Sequence, residues 1–576
     1  MKRTAVFYSS LLLVVVLLIS ACAPAAVEAP AEPAAAEAEG ASAPMEEKEG
    51  GGTLQVCFIQ ATSYAHLAGF VGRAGSQHFY QGRTIFSGLV QLDHDVKEYI
   101  PELAESWEFD GNKVIFHLRN DVTWHDGTPF TSKDVLFNYG RLIPHPLMLN
   151  TAYNSLKDYI VGYTEFKEGE ADAVSGITAP DDYTVVFEMT GEYGMVGIHK
   201  IAGAIRLVPE HILSEVPEDQ WGPDESGVLG LEKTDFATKK AIGTGPFMVD
   251  EYVPDQHIIY SPNPDYFRGA PKLDKLIYRS FNGDPTAMMV ATEAGECDWV
   301  IGEGGGRPVE LQRLAAIEEL DLEIFNPPAN VSVAYWWNLG REHIQNPLIR
   351  QGIQHAINGE QFNQVMASGV SRGARVYLDG KWGINPEGAA YITYDPELAK
   401  QKLTEGGWDF DNDKLILVLG SLHPAWEPLH LTFQENLAAV GVTVEFKVVG
   451  ADYGNVVNKE PFEWDLLQAG DWAPWFGLLG YDTTHLNTQP WYDRAAHYAE
   501  EVALLKSLEL ETDDAVLKEA VWQIQESIGG DPFGVILYAH INPSLRSTRT
   551  RGCDTIPSYY YHRNNWNLEQ CWIASQ

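Results

Sequence analysis

His423 and His430 flank Trp426 and Glu427, a spacing from which imidazole and carboxylate groups could reach one metal ion. Histidines scattered over a surface are the commoner origin of such a set, and no metal site is expected. Gly302-Glu303-Gly304-Gly305-Gly306-Arg307 could fold into a nest of backbone N–H groups beside an arginine, an arrangement that holds anions. A mobile loop is the stronger reading. Gly243-Thr244-Gly245-Pro246 has two glycines without dinucleotide spacing, and Pro246 removes an amide that a phosphate needs, so it reads as a tight turn. The chain contains no G-x-S-x-G elbow, no H-E-x-x-H and no P-loop. No cofactor is expected, and an exported hydrolase is only a remote alternative.

Binding is the better-supported class. Aromatic residues make up 11% of the chain, with 16 Trp and 26 Tyr, an excess that suits contact with a ligand. Lys+Arg is 40 against Asp+Glu 80, a net charge of −40 that repels phosphate backbones and anionic headgroups. Nucleic acid is therefore excluded as a partner. The five cysteines form no C-x-x-C pair, so redox and zinc-ribbon motifs are missing. Cys57 lies in an expected strand from Thr53 to Ile59 and reads as a small core residue. Cys553 and Cys571 form a possible disulfide, which export permits.

The elements that position these residues read as mixed α/β. A turn at Asp110-Gly111-Asn112-Lys113 leads into alternation through Val114, Phe116 and Leu118, and Asp181-Asp182-Tyr183 leads into Thr184–Glu188. Thr131-Ser132-Lys133-Asp134 has capping-box spacing, with Val135, Leu136, Tyr139 and Leu142 as the apolar face of the helix it opens. Asp395-Pro396-Glu397 starts another helix and Gly406-Gly407 stops it; Leu517, Val521, Ile524 and Ile528 mark a third. At 576 residues the chain needs more than one core.

The start of the chain is an address. Met1-Lys2-Arg3 precedes an apolar run from Leu11 to Ile19, too short to span a membrane, and Ile19-Ser20-Ala21-Cys22 resembles a lipobox in which Cys22 is lipidated. Residues 1–21 are then a lipoprotein signal peptide. Residues 23–52 hold 11 Ala, 7 Glu, 4 Pro and 4 Gly with no aromatic, so 22–52 reads as the lipidated cysteine and a disordered tether. The protein is expected to be exported and lipid-anchored, on the outer face of the cell membrane or in the periplasm.

One long block carries a resemblance. Ile100-Pro101-Glu102-Leu103-Ala104-Glu105-Ser106-Trp107 continues into Val114–Arg119 and Trp124-His125-Asp126-Gly127-Thr128-Pro129-Phe130-Thr131. Gly243-Thr244-Gly245-Pro246-Phe247, Asn263-Pro264-Asp265-Tyr266-Phe267, Ala294–Asp298, Asn338, Arg350-Gln351-Gly352-Ile353 and Tyr394-Asp395-Pro396 follow in order. Together they resemble the family 5 extracellular solute-binding proteins, the peptide-binding type of ABC importers. The resemblance implies an α/β, two-lobed fold like the type II periplasmic binding proteins, with an extra domain inserted in the first lobe. Lobe one is placed at 53–87, 200–280 and 540–576, the inserted domain at 88–199 and lobe two at 281–539. Trp107 and Trp124 are expected to pack the insert. The ligand is expected between the lobes, with the closed, monomeric form docking on the importer's membrane subunits.

The resemblance also carries the site residues. Ala469-Gly470-Asp471-Trp472-Ala473-Pro474-Trp475 corresponds to the lobe-two segment that binds peptides in relatives, and Pro474 stands where an acid should pair with the α-ammonium. Gly470, Asp471, Trp472 and Trp475 are therefore ligand-binding candidates, joined by Trp382, by Tyr538 near the returning hinge strand, and by Thr62 and Ser63 after the first strand. Family precedent favours a small peptide as ligand. The tryptophans and the Pro474 departure favour an oligosaccharide, with nickel chelates, opines and other solutes behind both.

Overall fold

The computed structural model describes residues 50–58, 84–92, 99–148, 153, 156–202, 205–224, 229–301, 308–325, 331–367, 393–420, 426–450, 453–458, 460–468, 499–508, 511, 513–531, 534–540, 544–553, 555–556, 565–566 and 568–574. The first strand, β1 (Thr53–Phe58), alternates its faces. Leu54, Val56 and Phe58 enter one core while Cys57 enters another. The short ribbon β2 (Val90–Leu92) and β3 (Tyr99–Pro101) follows. Then comes an antiparallel sheet of β4 (Ala104–Asp110), β5 (Lys113–Leu118), β6 (Ile177–Asp181) and β7 (Thr184–Glu188), in the order β4-β5-β7-β6. Gly111 turns the β4–β5 hairpin at φ 59°, the conformation a two-residue II′ loop requires of its first residue. Helix α1 (Ser132–Phe137) opens on the expected capping box: Thr131 accepts from Lys133 N, and Asp134 accepts from Thr131 N at 2.9 Å. Trp124 is buried in this region, and Trp107 packs half-buried against the same core.

A seven-stranded sheet forms around β1. Its members are β8 (Phe247–Val253), β9 (His257–Pro262), β10 (Lys275–Ser280), β11 (Trp299–Val300), β12 (Leu322–Phe325) and, from the end of the chain, β18 (Ser544–Ser547). The order is β12-β18-β11-β1-β10-β9-β8, with β1 parallel to both β10 and β11. Helices α2 (Pro285–Glu293) and α3 (Pro308–Ala315) cover one face, where Met288, Met289, Leu311 and Leu314 pack with Cys57 and Leu545. This moves a boundary. The sequence reading began lobe two at 281, yet β11 and β12 pair within the first sheet and α2 and α3 pack on it. The first lobe therefore runs on to Phe325, because β1 needs a partner on each edge.

The second sheet comprises β13 (Val331–Trp337), β14 (Lys414–Leu419), β15 (Thr443–Val448), β16 (Leu466–Gln468) and β17 (Gly534–His540), in the order β15-β14-β16-β13-β17. Helices α4 (Pro347–His355), α5 (Gly359–Ala367), α6 (Pro396–Glu405), α7 (Glu427–Ala439) and α8 (Asp514–Gly530) accompany it. Asp395 caps α6 by accepting from Leu398 N at 2.9 Å, and Gly407, at φ 85°, turns the chain away after Gly406. Among the described residues no helix is long and apolar enough to cross a membrane.

Two readings change at the N-terminal side. Cys57 is buried as expected, but it is half of a disulfide with Cys297, 240 residues away. An alternating strand buries a half-cystine just as it buries a small apolar residue, so the pattern alone could not separate the two. A second disulfide joins Cys553 and Cys571. Gly50, Gly51 and Gly52, read as the end of the tether, are pinned: Gly51 N donates to Lys272 O at 2.6 Å and Gly52 N to Asp274 Oδ2 at 2.8 Å. All three have positive φ, and a Cβ on Gly52 would lie 2.7 Å from that of Ile573.

The two disulfides differ in what they restrain. On the loop-closure model, removing a cross-link costs more as the closed loop lengthens. Cys57→Ser/Cys297→Ser is expected to lose about 5 kcal/mol in denaturant unfolding, against about 3 kcal/mol for Cys553→Ser/Cys571→Ser. Equal losses would show that closing the long loop is not what the first bond contributes.

Candidate functional site

The geometry of a site follows from strand direction. In the first sheet β1, β10 and β11 run parallel and end at Phe58, Ser280 and Val300. Strand β12 is antiparallel to β18, which is antiparallel to β11, so β12 ends on that same carboxyl edge. In the second sheet β14, β15 and β16 are parallel and end at Leu419, Val448 and Gln468. Strand β13 is antiparallel to β16 and so begins on the edge where these three end. The returning pair obeys the same rule: β17 ends there, and β18 starts on the carboxyl edge of the first sheet. The chain therefore crosses twice between the sheets, through 326–330 and 541–543, each time joining carboxyl edge to carboxyl edge. In open α/β sheets, ligands bind outside those edges. One connection runs from the first sheet to the second and the other returns.

Both ends of the parallel strands are held by hydrogen bonds, the carboxyl end of β1 by backbone amides and the amino ends of β11 and β16 by Asp298 and Asp465. Ile301 N donates to Cys57 O and Phe281 N to Phe58 O, both at 2.9 Å, so the last carbonyls of β1 are engaged. Asp298, in the Ala294–Asp298 motif, accepts from Gln55 N at 2.9 Å and faces Arg549 at 3.4 Å. Burial raises its pKa against the pull of these partners. In the second sheet the buried Asp465 accepts from Ile416 N at 2.8 Å and Arg341 Nε at 2.9 Å, while Asn338 N donates to Asp465 O at 2.8 Å. Strand β17 is an edge strand whose register shifts between its pairings at Tyr538 and Ile536. There Gln354 supplies what a further strand would: its Nε2 donates to Ile536 O at 2.9 Å, and its Oε1 accepts from Ile536 N at 2.7 Å. One turn earlier on α4, Arg350 Nε donates to Asp531 at 3.0 Å.

Most residues expected to contact ligand lie outside the described residues: Thr62, Ser63, Trp382, Gly470, Asp471, Trp472 and Trp475. In sequence, Thr62 lies four residues past the end of β1, and Gly470 two past the end of β16. Tyr538 is described, and it is 1% exposed in the core of the second lobe, paired with Val333. The Gly302–Arg307 loop, His423 and Pro474 are likewise outside the described set. His430 is a core residue stacked near Tyr335, whose hydroxyl lies 2.6 Å from His430 Nδ1; burial pulls the imidazole down to about 4. Among the described residues no group of His, Cys, Asp or Glu could hold a metal. A cavity of about 520 Å³ lies on the β1–β10–β9 face, floored by Ile259 and Ile277, and its Arg279 is paired with Glu296 at 2.5 Å. Its lining follows β9 and β10 and reaches the end of β10 at Ser280 and Phe281. Asp298, Asp465 and Gln354 are the positioning residues that sequence reasoning missed. The first lies in a quoted motif and Gln354 directly follows another, but neither motif says what the side chain holds.

Comparison with known proteins agrees with this geometry. Residues 98–492 match the family model described as "Bacterial extracellular solute-binding proteins, family 5 Middle". The oligopeptide-binding protein AppA of Bacillus subtilis is 24% identical over 527 residues, covering 85% of this chain and 86% of that protein. The dipeptide-binding protein of Escherichia coli is 26% identical over 389 residues, covering 65% of this chain and 68% of that protein. Relatives in Brucella, provisionally named as ABC transporter peptide-binding proteins, match at 27% identity, and the chain spans 66% of their length. Among solved structures, AppA of Bacillus subtilis with a nonapeptide superposes at a TM-score of 0.65 and 21% identity, covering 92% of this chain and all of that one. The unliganded open form of the murein tripeptide-binding protein MppA gives 0.68 at 18% identity, covering 91% of this chain and 98% of that one. These likenesses establish a two-lobed fold of the type II periplasmic binding kind.

Gln354 offers a direct test of how the returning strand is held. Gln354→Leu leaves a buried N–H and a buried C=O without partners, each costing about 1–3 kcal/mol. The expected loss in urea unfolding is therefore about 3 kcal/mol, with Gln354→Glu, which keeps the acceptor, falling between. A loss under about 1 kcal/mol for the leucine variant would mean that another group satisfies Ile536.

Proposed function

The chain belongs to the bacterial extracellular solute-binding proteins, family 5, and on that premise we propose that it captures a short peptide between its two lobes and delivers it to an ABC importer. The observation that carries this reading is the pair of crossings that join carboxyl edge to carboxyl edge. Ligand bound there touches both sheets at once, so closing about the crossings adds contacts that the open form lacks. That differential affinity is what shifts the population toward the closed form. Relatives named for oligopeptide and dipeptide binding support peptide as the ligand class.

In this reading Cys22 carries the lipid and residues 23–49 tether the folded body outside the membrane. Trp472 and Trp475 present flat apolar faces to the ligand, Gly470 lets its backbone approach, and Asp471 receives the α-ammonium in place of the missing acid at Pro474. Thr62, Ser63 and Trp382 complete the lining. The protein performs no turnover: its work is binding and release. One feature favours a second reading, an oligosaccharide ligand. Proline at 474 cannot pair with an ammonium, and neighbouring tryptophans suit sugar rings.

A thermal-shift panel separates the two. Saturating ligand at 100 times Kd stabilises the bound form by about 2.7 kcal/mol. Di- to pentapeptide pools are expected to raise Tm while cello- and xylo-oligosaccharides leave it unchanged; the reverse pattern replaces peptide by sugar. Peptides recovered after incubation should be intact, and cleavage would overturn the non-enzymatic reading. Trp472→Ala is expected to weaken binding of the active pool by more than about 1 kcal/mol with Tm of the free protein unchanged. A lowered free Tm with unaltered affinity would make Trp472 a core residue instead.

A further inference from the structure

Two sequence motifs without an assigned role meet at one imidazole. His125 lies between β5 and α1, and the Gly243–Pro246 turn leads directly into β8 of the seven-stranded sheet. His125 N donates to Gly243 O at 2.8 Å. Its ring Nδ1 accepts from Gly243 N at 3.1 Å, and its Nε2 donates to Gly245 O at 3.0 Å. Asn263 Nδ2 donates to the same carbonyl at 3.1 Å, while Gly245 N donates to Ile85 O at 2.7 Å. The turn has no slack on its far side. A Cβ on Gly243 would lie 1.9 Å from Ile85 O, and one on Gly245 2.5 Å from Ile85 C. Glycine is required at both positions because the turn is pressed between a backbone and an imidazole.

We propose that His125 is an acid-labile joint between the α1-bearing domain and the seven-stranded sheet, whose protonation releases the Gly243–Pro246 turn while both sheets stay folded. A neutral imidazole offers one donor and one acceptor, and both are used here. A proton on Nδ1 sets N–H against the N–H of Gly243, and the turn cannot retreat toward Ile85. The charges that reach the ring are Asp126 on its own loop, which favours the cation, and Lys240 before the turn, which opposes it. Asp126 is itself held by His211 at 2.8 Å. Ile85 and Asn263, the other groups against the turn, carry no charge. Burial dominates and pulls His125 down to about 4. A histidine whose folded value lies below its unfolded one, about 6.5, contributes stability above that value and loses it as pH falls toward about 4.

Hydrogen exchange of the full chain, corrected for intrinsic rates at each pH, tests the joint. Between pH 7.5 and 4.5, exchange at residues 243–247 is expected to rise roughly 50- to 100-fold, a factor of ten per unit below about 6.5. Segments of β13 and β17 should change little. His125→Gln keeps a donor and an acceptor without titrating in this range, and should abolish the pH dependence at the turn. Equal pH dependence in the two proteins, or a parallel rise across the second lobe, overturns the proposal. Should the variant misfold, NMR titration of the wild-type ring decides: a His125 resonance titrating near 6.5 in the native protein overturns the proposal equally.

Discussion

The parallel pairing of β1 is the constraint on which the first lobe depends. Thr53 pairs with Lys275 and Val56 with Trp299, so a six-residue strand waits for partners more than 200 residues away. The intervening chain builds the four-stranded sheet, and the same continuous core includes residues of both. Closing so long a loop costs chain entropy that no single ladder recovers. Several cross-links converge on the same few residues: the Cys57–Cys297 disulfide, the Asp298 carboxylate on Gln55 N and the packing of α2 and α3 beneath Cys57. Pairing of this range slows folding, because the loop must close before its contacts are gained.

The second lobe solves a related problem differently. Its parallel trio is held from the opposite edge, where buried Asp465 ties β14, β16 and Arg341 together, and α4 secures β17 through Arg350 and Gln354. The strands are thus tied by buried side chains on the side away from the connections between the sheets.

Local features were legible in the sequence because their causes are local. Thr131 with Asp134, Asp395 with Pro396, and the Gly111 hairpin each depend on residues within a few positions, and each forms as read. Partnerships at long range were not. Cys57 carried no mark of Cys297, and nothing near residue 281 announced that β11 would be the second partner of β1. His430 shows the same limit at a single side chain: spacing suggested a metal ligand to be weighed, whereas burial against Tyr335 decided its role. The resemblance identified the family and its two-lobed fold. Tyr538, drawn from its position near the returning strand, is buried together with its neighbours Val535, Ile536 and Leu537, so β17 carries no alternation from which a solvent face could be read.

The glycine lead-in has a mechanical consequence. A pull applied to the chain at Gly50 enters β1 along its axis, with a hydrogen-bonded parallel strand on each side. Load in that direction shears the ladders, so their bonds must fail together instead of opening one after another. Gly51 shares the force with the chain terminus, since its carbonyl accepts from Ile573 N at 3.1 Å. Three residues that can adopt what side chains forbid thereby form a grip at the entrance to β1.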